Sequence, residues 1–151
     1  MKTRTLVSIL ILVLAVLIIA ASCATRKIAI SDEELSDAYT GTWINEEAGW
    51  GIPKIVYFPD GTFKEYIGID TERFVCAGKD TIIDQWKDPK GNLFYEAKWE
   101  CFTHGNAGYE LVKISDSGNT LERLFTSHDL RVEEWDPDNI HYNYRIWYRQ
   151  E

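Results

Sequence analysis

The distribution of apolar residues divides the chain into two unequal parts. A run from Leu6 to Ala21 with a single polar residue follows a short basic start at Lys2 and Arg4. From Tyr39 onward, apolar residues recur in short segments separated by turn-forming sequences such as Pro59-Asp60-Gly61-Thr62. The first part has the order of a secretory signal, and the second has the pattern of a β protein.

Eight short segments of the second part have strand character. They are residues 40–44, 53–58, 63–69, 80–86, 93–103, 109–115, 120–127 and 139–149. Apolar and polar positions alternate most clearly in the last segment, where one face carries Ile140, Tyr142, Tyr144, Ile146 and Tyr148. Because hairpin-type links join the segments and no long helical pattern lies among them, they predict an all-β, eight-stranded antiparallel meander. Closure into an up-and-down barrel would remove the exposed sheet edges, and an open β-sandwich is the alternative.

The segment between the two parts is polar and charged. Ser31 and Glu34 have the spacing of a helix capping box, which predicts one or two helical turns over residues 31–38. We therefore expect a signal helix over residues 1–22, a short polar tether over residues 23–38 and a β-barrel domain over residues 39–151.

The end of the apolar run indicates the compartment. The small residues Ala20, Ala21 and Ser22 stand directly before Cys23. This order resembles the signal of bacterial lipoproteins, in which cleavage leaves an amino-terminal cysteine that carries lipid. The resemblance implies lipidation of Cys23 and attachment to a membrane of the cell envelope. It favours the outer over the inner membrane, because Ala24, and not Asp or Glu, follows the cysteine. An uncleaved membrane anchor and a freely secreted protein are the alternatives.

The charge of the processed chain narrows the range of partners. Removal of the first 22 residues would leave 129 residues and a formal charge of −10, because two of the 16 basic residues and none of the 24 acidic residues lie in the signal. Such a chain is long enough for one domain. Its acidic surface repels phosphate backbones, so we expect no nucleic-acid partner.

Two cysteines remain after Cys23. Cys76 and Cys101 would face an oxidising compartment, where a disulfide can persist. The sequence leaves open whether they form a bridge or remain two free buried thiols, because it does not supply the Cβ geometry that a bridge requires.

The start of the first strand carries a further resemblance. Gly41-Thr42-Trp43, eight antiparallel strands and an arginine on the last strand resemble the lipocalin and wider calycin group. The resemblance implies that Trp43 packs across the closed end of a barrel. It also implies that an arginine from the end of the sheet, Arg145 or Arg149, lies over the indole ring.

Aromatic residues are the candidate ligand contacts. The chain contains six tryptophans, and aromatic faces suit an apolar ligand in a barrel mouth. The candidate contacts are Trp50, Trp86, Trp99, Tyr142 and Tyr144. The alternative is a small barrel filled by its own large side chains, whose outer surface would bind an envelope or host protein.

Motifs for catalysis and metal binding are not evident. The acidic run over residues 133–139 lacks the alternating oxygen ligands and the glycine of a calcium loop. The histidines His104, His128 and His141 show no short ligand spacing. No nucleophile elbow and no phosphate-binding glycine loop occurs. We therefore expect no metal, no cofactor and no enzymatic activity.

Overall fold

The computed structural model describes residues 27–45, 54–67, 73–126, 129–132, 134–139 and 141–150. The predicted signal, Cys23 and Trp50 lie outside the described residues. Among the residues described, no helix has the length and apolar character needed to cross a membrane.

The described chain folds into one short helix and nine strands. Helix α1 spans Asp32–Tyr39. The strands are β1 (Ile28–Ala29), β2 (Gly41–Ile44), β3 (Lys54–Tyr57), β4 (Thr62–Ile67), β5 (Arg73–Lys87), β6 (Leu93–Cys101), β7 (Asn106–Ile114), β8 (Thr120–Phe125) and β9 (Asn143–Arg149).

Strands β2 to β9 form a closed barrel. Each pairs antiparallel with the next along the chain, and β9 returns to β2 with Trp43 opposite Arg149 and Ile44 opposite Tyr148. The predicted all-β, eight-stranded antiparallel meander is therefore confirmed, and it closes as a barrel rather than opening as a sandwich. The eight predicted segments correspond to β2–β9 in order.

Strand β5 is much longer than the predicted segment 80–86. Its first half pairs with β4, from Arg73 to Lys79, and its second half pairs with β6, from Gly78 to Lys87. The first half contains the small residues Cys76, Ala77 and Gly78, which interrupt the apolar–polar alternation from which the strands were predicted. Gly78 is required there, because a Cβ atom would lie 2.4 Å from the Phe63 ring and 2.3 Å from the Glu100 carbonyl oxygen.

The residues before the barrel pack onto it. Strand β1 pairs with the end of β5, and the Ser31 hydroxyl accepts a hydrogen bond from the Glu34 backbone amide (3.1 Å), as the capping pattern predicts. Helix α1 buries Leu35 and Tyr39 in the barrel core. Lys27 also pairs with Asp84 on β5, so the segment expected to serve as a tether contacts the barrel from Lys27 onward.

Two apolar clusters lie on opposite sides of the barrel wall. The interior cluster includes Trp43, Tyr57, Phe63, Tyr95 and Trp147. The second cluster lies on the outer face of the barrel. Its strand residues, Phe94, Leu111 and Leu124, alternate with residues that face the interior. Val132 and Trp135, from the connection between β8 and β9, pack over them.

Cys76 on β5 and Cys101 on β6 form a disulfide within the interior cluster. Because the bridge closes a loop with a sequence separation of 25, its loss should lower the free energy of unfolding by about 3 kcal/mol. We expect this effect for the double variant Cys76→Ala/Cys101→Ala, measured by urea unfolding. A reducing agent should destabilise the native protein by a similar amount and leave the variant unchanged. An equal response of both proteins to the reducing agent would contradict the prediction.

Candidate ligand-binding site

One end of the barrel is closed by helix α1 and by Trp43. The Trp43 indole is fully buried (0 % exposed), and its Nε1 donates a hydrogen bond to the carbonyl oxygen of Tyr39 at the end of α1 (2.8 Å). Arg149 lies over the indole ring at 4.5 Å and donates to the carbonyl oxygens of Ala38, Thr40 and Gly118. The arginine expected over Trp43 is thus Arg149.

Gly41 makes this arrangement possible. Its φ of +136° favours glycine, and a Cβ atom there would lie 3.6 Å from the Arg149 guanidinium. The Gly-x-Trp pattern therefore has a local physical cause: the glycine adopts a positive φ that other residues rarely adopt, and the tryptophan provides the surface on which Arg149 lies.

The opposite end contains a cavity of about 350 Å³, which we call the mouth cavity. Aromatic and aliphatic side chains form most of its wall: Phe63, Ile67, Val75, Trp99, Phe125 and Trp147. The polar part consists of Glu65, His104, Asn106, Arg123 and Arg145, and the disulfide cysteines also contribute. The volume lies within the range of small-molecule sites.

Two hydrogen-bond donors of the mouth cavity lack a partner among the described residues. The indole Nε1 of Trp147 is buried and makes no hydrogen bond there. Arg145 is exposed and has no ion pair within the described ranges, whereas Arg123, its cross-strand neighbour on β8, has two. Among the described residues, the cavity therefore offers a cation without an ion pair next to apolar walls, and the N–H group of Trp147 is buried within the wall.

A cluster of charged side chains lies inside the barrel beneath the mouth cavity. Arg123, 4 % exposed, donates through Nε to Glu110, which is 0 % exposed, and lies 3.3 Å from Glu65 through Nη1. Asp80 is the third buried carboxyl group of the cluster. Tyr57 and Tyr95 are also buried, and their hydroxyl groups have no hydrogen-bond partner within the part of the chain that the structure describes.

Burial shifts the titration of this cluster. Desolvation raises the pKa of Asp80 well above its ordinary value, and the neighbouring Glu110 raises it further. Desolvation also raises the pKa of Glu65, although Arg123 opposes that rise. The cluster thus contains one guanidinium group and three carboxyl groups. Protonation of the acids reduces the excess negative charge.

This cluster was not predicted from the sequence, although its signal was present. Glu110 shares an inward face with Val112 and Ile114, and Arg123 shares one with Leu121 and Phe125. Charged residues at apolar positions of two neighbouring strands indicate a buried ion pair.

The structure places the candidate ligand contacts in two different environments. Trp99 lines the mouth cavity. Trp86, Tyr142 and Tyr144 lie against the outer cluster instead, where Trp86 stacks on Phe94 at 5.4 Å. Trp86 and Tyr144 alternate with inward strand positions and Tyr142 directly precedes β9, so the structure does not bring these three residues to the cavity. Arg145, expected near the closed end, lines the mouth cavity.

Neither a metal site among the described residues nor a similarity to a known protein assigns a function to the chain. In the described ranges, no group of three His, Cys, Asp or Glu residues is arranged to hold a metal ion. Comparison of the chain with protein-family models, with curated proteins and with solved structures found no match.

Proposed function

We propose that the protein binds a small, mainly apolar molecule with one anionic group in the mouth cavity of its barrel. The observation that carries this proposal is the cavity itself, about 350 Å³ in volume, with aromatic walls and an exposed arginine, Arg145, that has no ion pair among the described residues. Small-molecule sites typically combine such apolar walls with a few polar groups that fix orientation.

The two ends of the proposed ligand have different contacts. Its apolar part would pack against Trp99, Phe63 and Phe125. Its anionic group would pair with Arg145.

We further propose a lipocalin-like barrel that is anchored to the bacterial cell envelope. The contact of Arg149 with Trp43 at the closed end supports the lipocalin-like part. The signal pattern that ends at Cys23 supports a lipid anchor, and two or more acyl chains would hold the protein stably on a membrane.

A second candidate function is binding of an envelope or host protein on the outer surface. The large side chains that pack inside the barrel around Trp43 and the exposed apolar side chain of Phe102 at the β6–β7 turn favour this alternative. It requires no cargo in the mouth cavity.

The proposal is tested by comparing a medium-chain carboxylate with its matching alcohol. Titration calorimetry with decanoate and decanol should show about tenfold tighter binding of the carboxylate, equivalent to about 1.4 kcal/mol. Arg145→Gln should remove that preference and retain alcohol binding. Arg73→Gln is the matched control, because Arg73 is exposed on β5 and does not line the cavity.

Native mass spectrometry of the protein from its own host addresses the natural cargo. A small molecule released on unfolding would support the binding proposal. A bare mass, together with no heat of binding for either probe, would overturn it in favour of the second candidate.

A further inference from the structure

The mouth cavity contains an acidic side chain close to two arginines. Glu65, Arg123 and Arg145 all line the cavity. Arg123 and Arg145 are directly opposite each other on β8 and β9, and like charges at opposite positions of a strand pair repel each other. The Glu65 carboxylate on β4 lies 3.3 Å from Nη1 of Arg123 and reduces this repulsion. Glu65 is therefore an anion of the protein itself within the cavity that we propose for an anionic ligand.

Glu65 is the more replaceable of the two acidic partners of Arg123. Glu110 accepts a hydrogen bond from Nε of Arg123, is 0 % exposed and does not line the cavity. Glu65 makes the longer contact, lines the cavity, and its side chain keeps 12 % of its accessible surface. A ligand carboxylate that enters the cavity can therefore take the place of Glu65 at Arg123, while the buried pair of Arg123 and Glu110 stays intact.

The charges around the cavity are balanced before an anionic ligand enters. Asp80 and Glu110 are hydrogen-bonded to each other, and two carboxyl groups in such contact share a proton. That pair therefore carries one negative charge and Glu65 carries a second, and together they offset the charges of Arg123 and Arg145. A ligand carboxylate would add a third negative charge in a partly desolvated site, where an unbalanced charge is costly. Uptake of one proton by the protein restores the balance.

We propose that Glu65 is the specificity-determining residue of the mouth cavity: it takes up one proton from the solvent when an anionic ligand binds, and the ligand replaces it as a partner of Arg123. This inference rests on the function proposed above and adds the charge state of the protein that accepts the ligand. With Glu65 ionised, the cavity favours a neutral ligand. With Glu65 protonated, it favours an anion.

Binding of an anion should therefore weaken as pH rises above the ordinary pKa of Glu65, 4.5. Desolvation raises the pKa of Glu65, although Arg123 opposes the rise, and a bound anion would raise it further because like charges disfavour ionisation. Between the pKa values of the free and bound protein, the affinity falls by up to about tenfold per pH unit. The charged or titratable groups that face Glu65 are Arg123, Glu110, Asp80 and Tyr57 inside the barrel, and His104 and Arg145 in the cavity wall.

Titration calorimetry of the full chain with decanoate and decanol tests this coupling. Between about pH 6 and about pH 8 decanoate stays ionised, and its affinity should fall by at least about tenfold over this range. Decanol, which carries no charge, should change by less than about twofold over the same range. Titrations in two buffers with different enthalpies of ionisation give the proton uptake directly, and we expect about one proton per bound decanoate.

Glu65→Gln is the variant that isolates the carboxyl group, because the amide keeps the side-chain shape and stays neutral at every pH. Its affinity for decanoate should vary by less than about twofold with pH, and near pH 8 it should exceed that of the unmodified protein at least about tenfold. Glu100→Gln is the matched control, since Glu100 pairs with Lys98, is 49 % exposed and lies outside the cavity. It should keep the pH dependence. Titration of His104, which lines the cavity with Nε2 3.0 Å from the Val75 carbonyl oxygen, would instead leave the pH dependence of Glu65→Gln intact.

The outcomes separate this inference from the function on which it rests. Decanoate binding without proton uptake, or a pH dependence that persists in Glu65→Gln, would overturn the role of Glu65 and leave ligand binding in place. No heat with either probe at any pH would overturn both. The measurement of proton uptake uses the unmodified protein, so the test does not depend on the folding of a variant.

Discussion

Replacement of Arg123 by methionine is expected to lower the free energy of unfolding by about 3–5 kcal/mol at neutral pH. Methionine keeps much of the side-chain volume but removes the guanidinium that pairs with Glu110 and Glu65. Three carboxyl groups, those two and Asp80, would then share a buried site without a cation. Breaking a buried pair costs more than the pair contributes, because the remaining charge stays desolvated.

The destabilisation should depend on pH in a defined direction. The pKa values of Asp80 and Glu65 are raised in the folded protein, so the native state binds more protons than the unfolded state once pH exceeds their ordinary values of 3.8 and 4.5. Stability therefore falls as pH rises through this window, by up to about 1.4 kcal/mol per pH unit for each proton. Loss of Arg123 raises both pKa values further, so the deficit of the variant should shrink as pH is lowered from about 7 to about 4.

Urea unfolding at several pH values measures this effect. Arg145→Met is the matched control, because Arg145 lies directly across from Arg123 on β9 but is exposed and has no ion pair among the described residues. We expect the control to change stability by less than about 0.5 kcal/mol. Similar losses in the two variants would show that Arg123 does not stabilise the buried acids.

The strand order could be predicted from the sequence because its determinants are local. Turn sequences such as Pro59-Asp60-Gly61-Thr62 separate the strands, and hairpin links allow each strand to pair with the next. The cap at Ser31 was also predictable, since the hydroxyl and the amide that it accepts from are three residues apart.

Features that depend on tertiary contacts were not predictable in the same way. The face of β9 that carries Tyr144 has the apolar pattern expected of a core-facing side. In the structure, the opposite face, which carries Trp147, points into the barrel interior. This assignment is possible because the connection between β8 and β9 packs Trp135 over the outer surface, and alternation alone does not indicate such a cover. The packing of α1 onto the barrel, through Leu35, depends equally on distant strands.

The candidate site was only partly predictable for the same reason. Trp99 was identified because its strand has a clear inward face. Arg145 and Arg149 both lie on the inward face of β9, and only the barrel geometry separates them: Arg149 reaches the closed end and Arg145 the mouth.

Replacement of Trp43 by alanine is the second change with a large expected effect. The indole is fully buried and also fixes the end of α1 through its hydrogen bond to Tyr39. Large-to-small changes of this kind leave a cavity and cost about 3–5 kcal/mol, and we expect a loss in that range. Trp43→Phe should recover part of it, because the ring volume returns but the N–H donor does not.

Arg149→Lys tests whether the arginine stabilises the closed end through its planar guanidinium. The guanidinium donates to three carbonyl oxygens, two at the end of α1 and one in the β7–β8 turn, and lies over Trp43, whereas an ammonium group cannot make all of these contacts in one geometry. We expect Arg149→Lys to cost about 2 kcal/mol in urea unfolding, and Arg145→Lys, on the same face of β9, to cost less than about 0.5 kcal/mol. Combined with Trp43→Phe, Arg149→Lys should cost less than the sum of the two single losses, because each change removes part of one shared contact. Strict additivity would instead mean that the ring and the arginine stabilise the closed end independently.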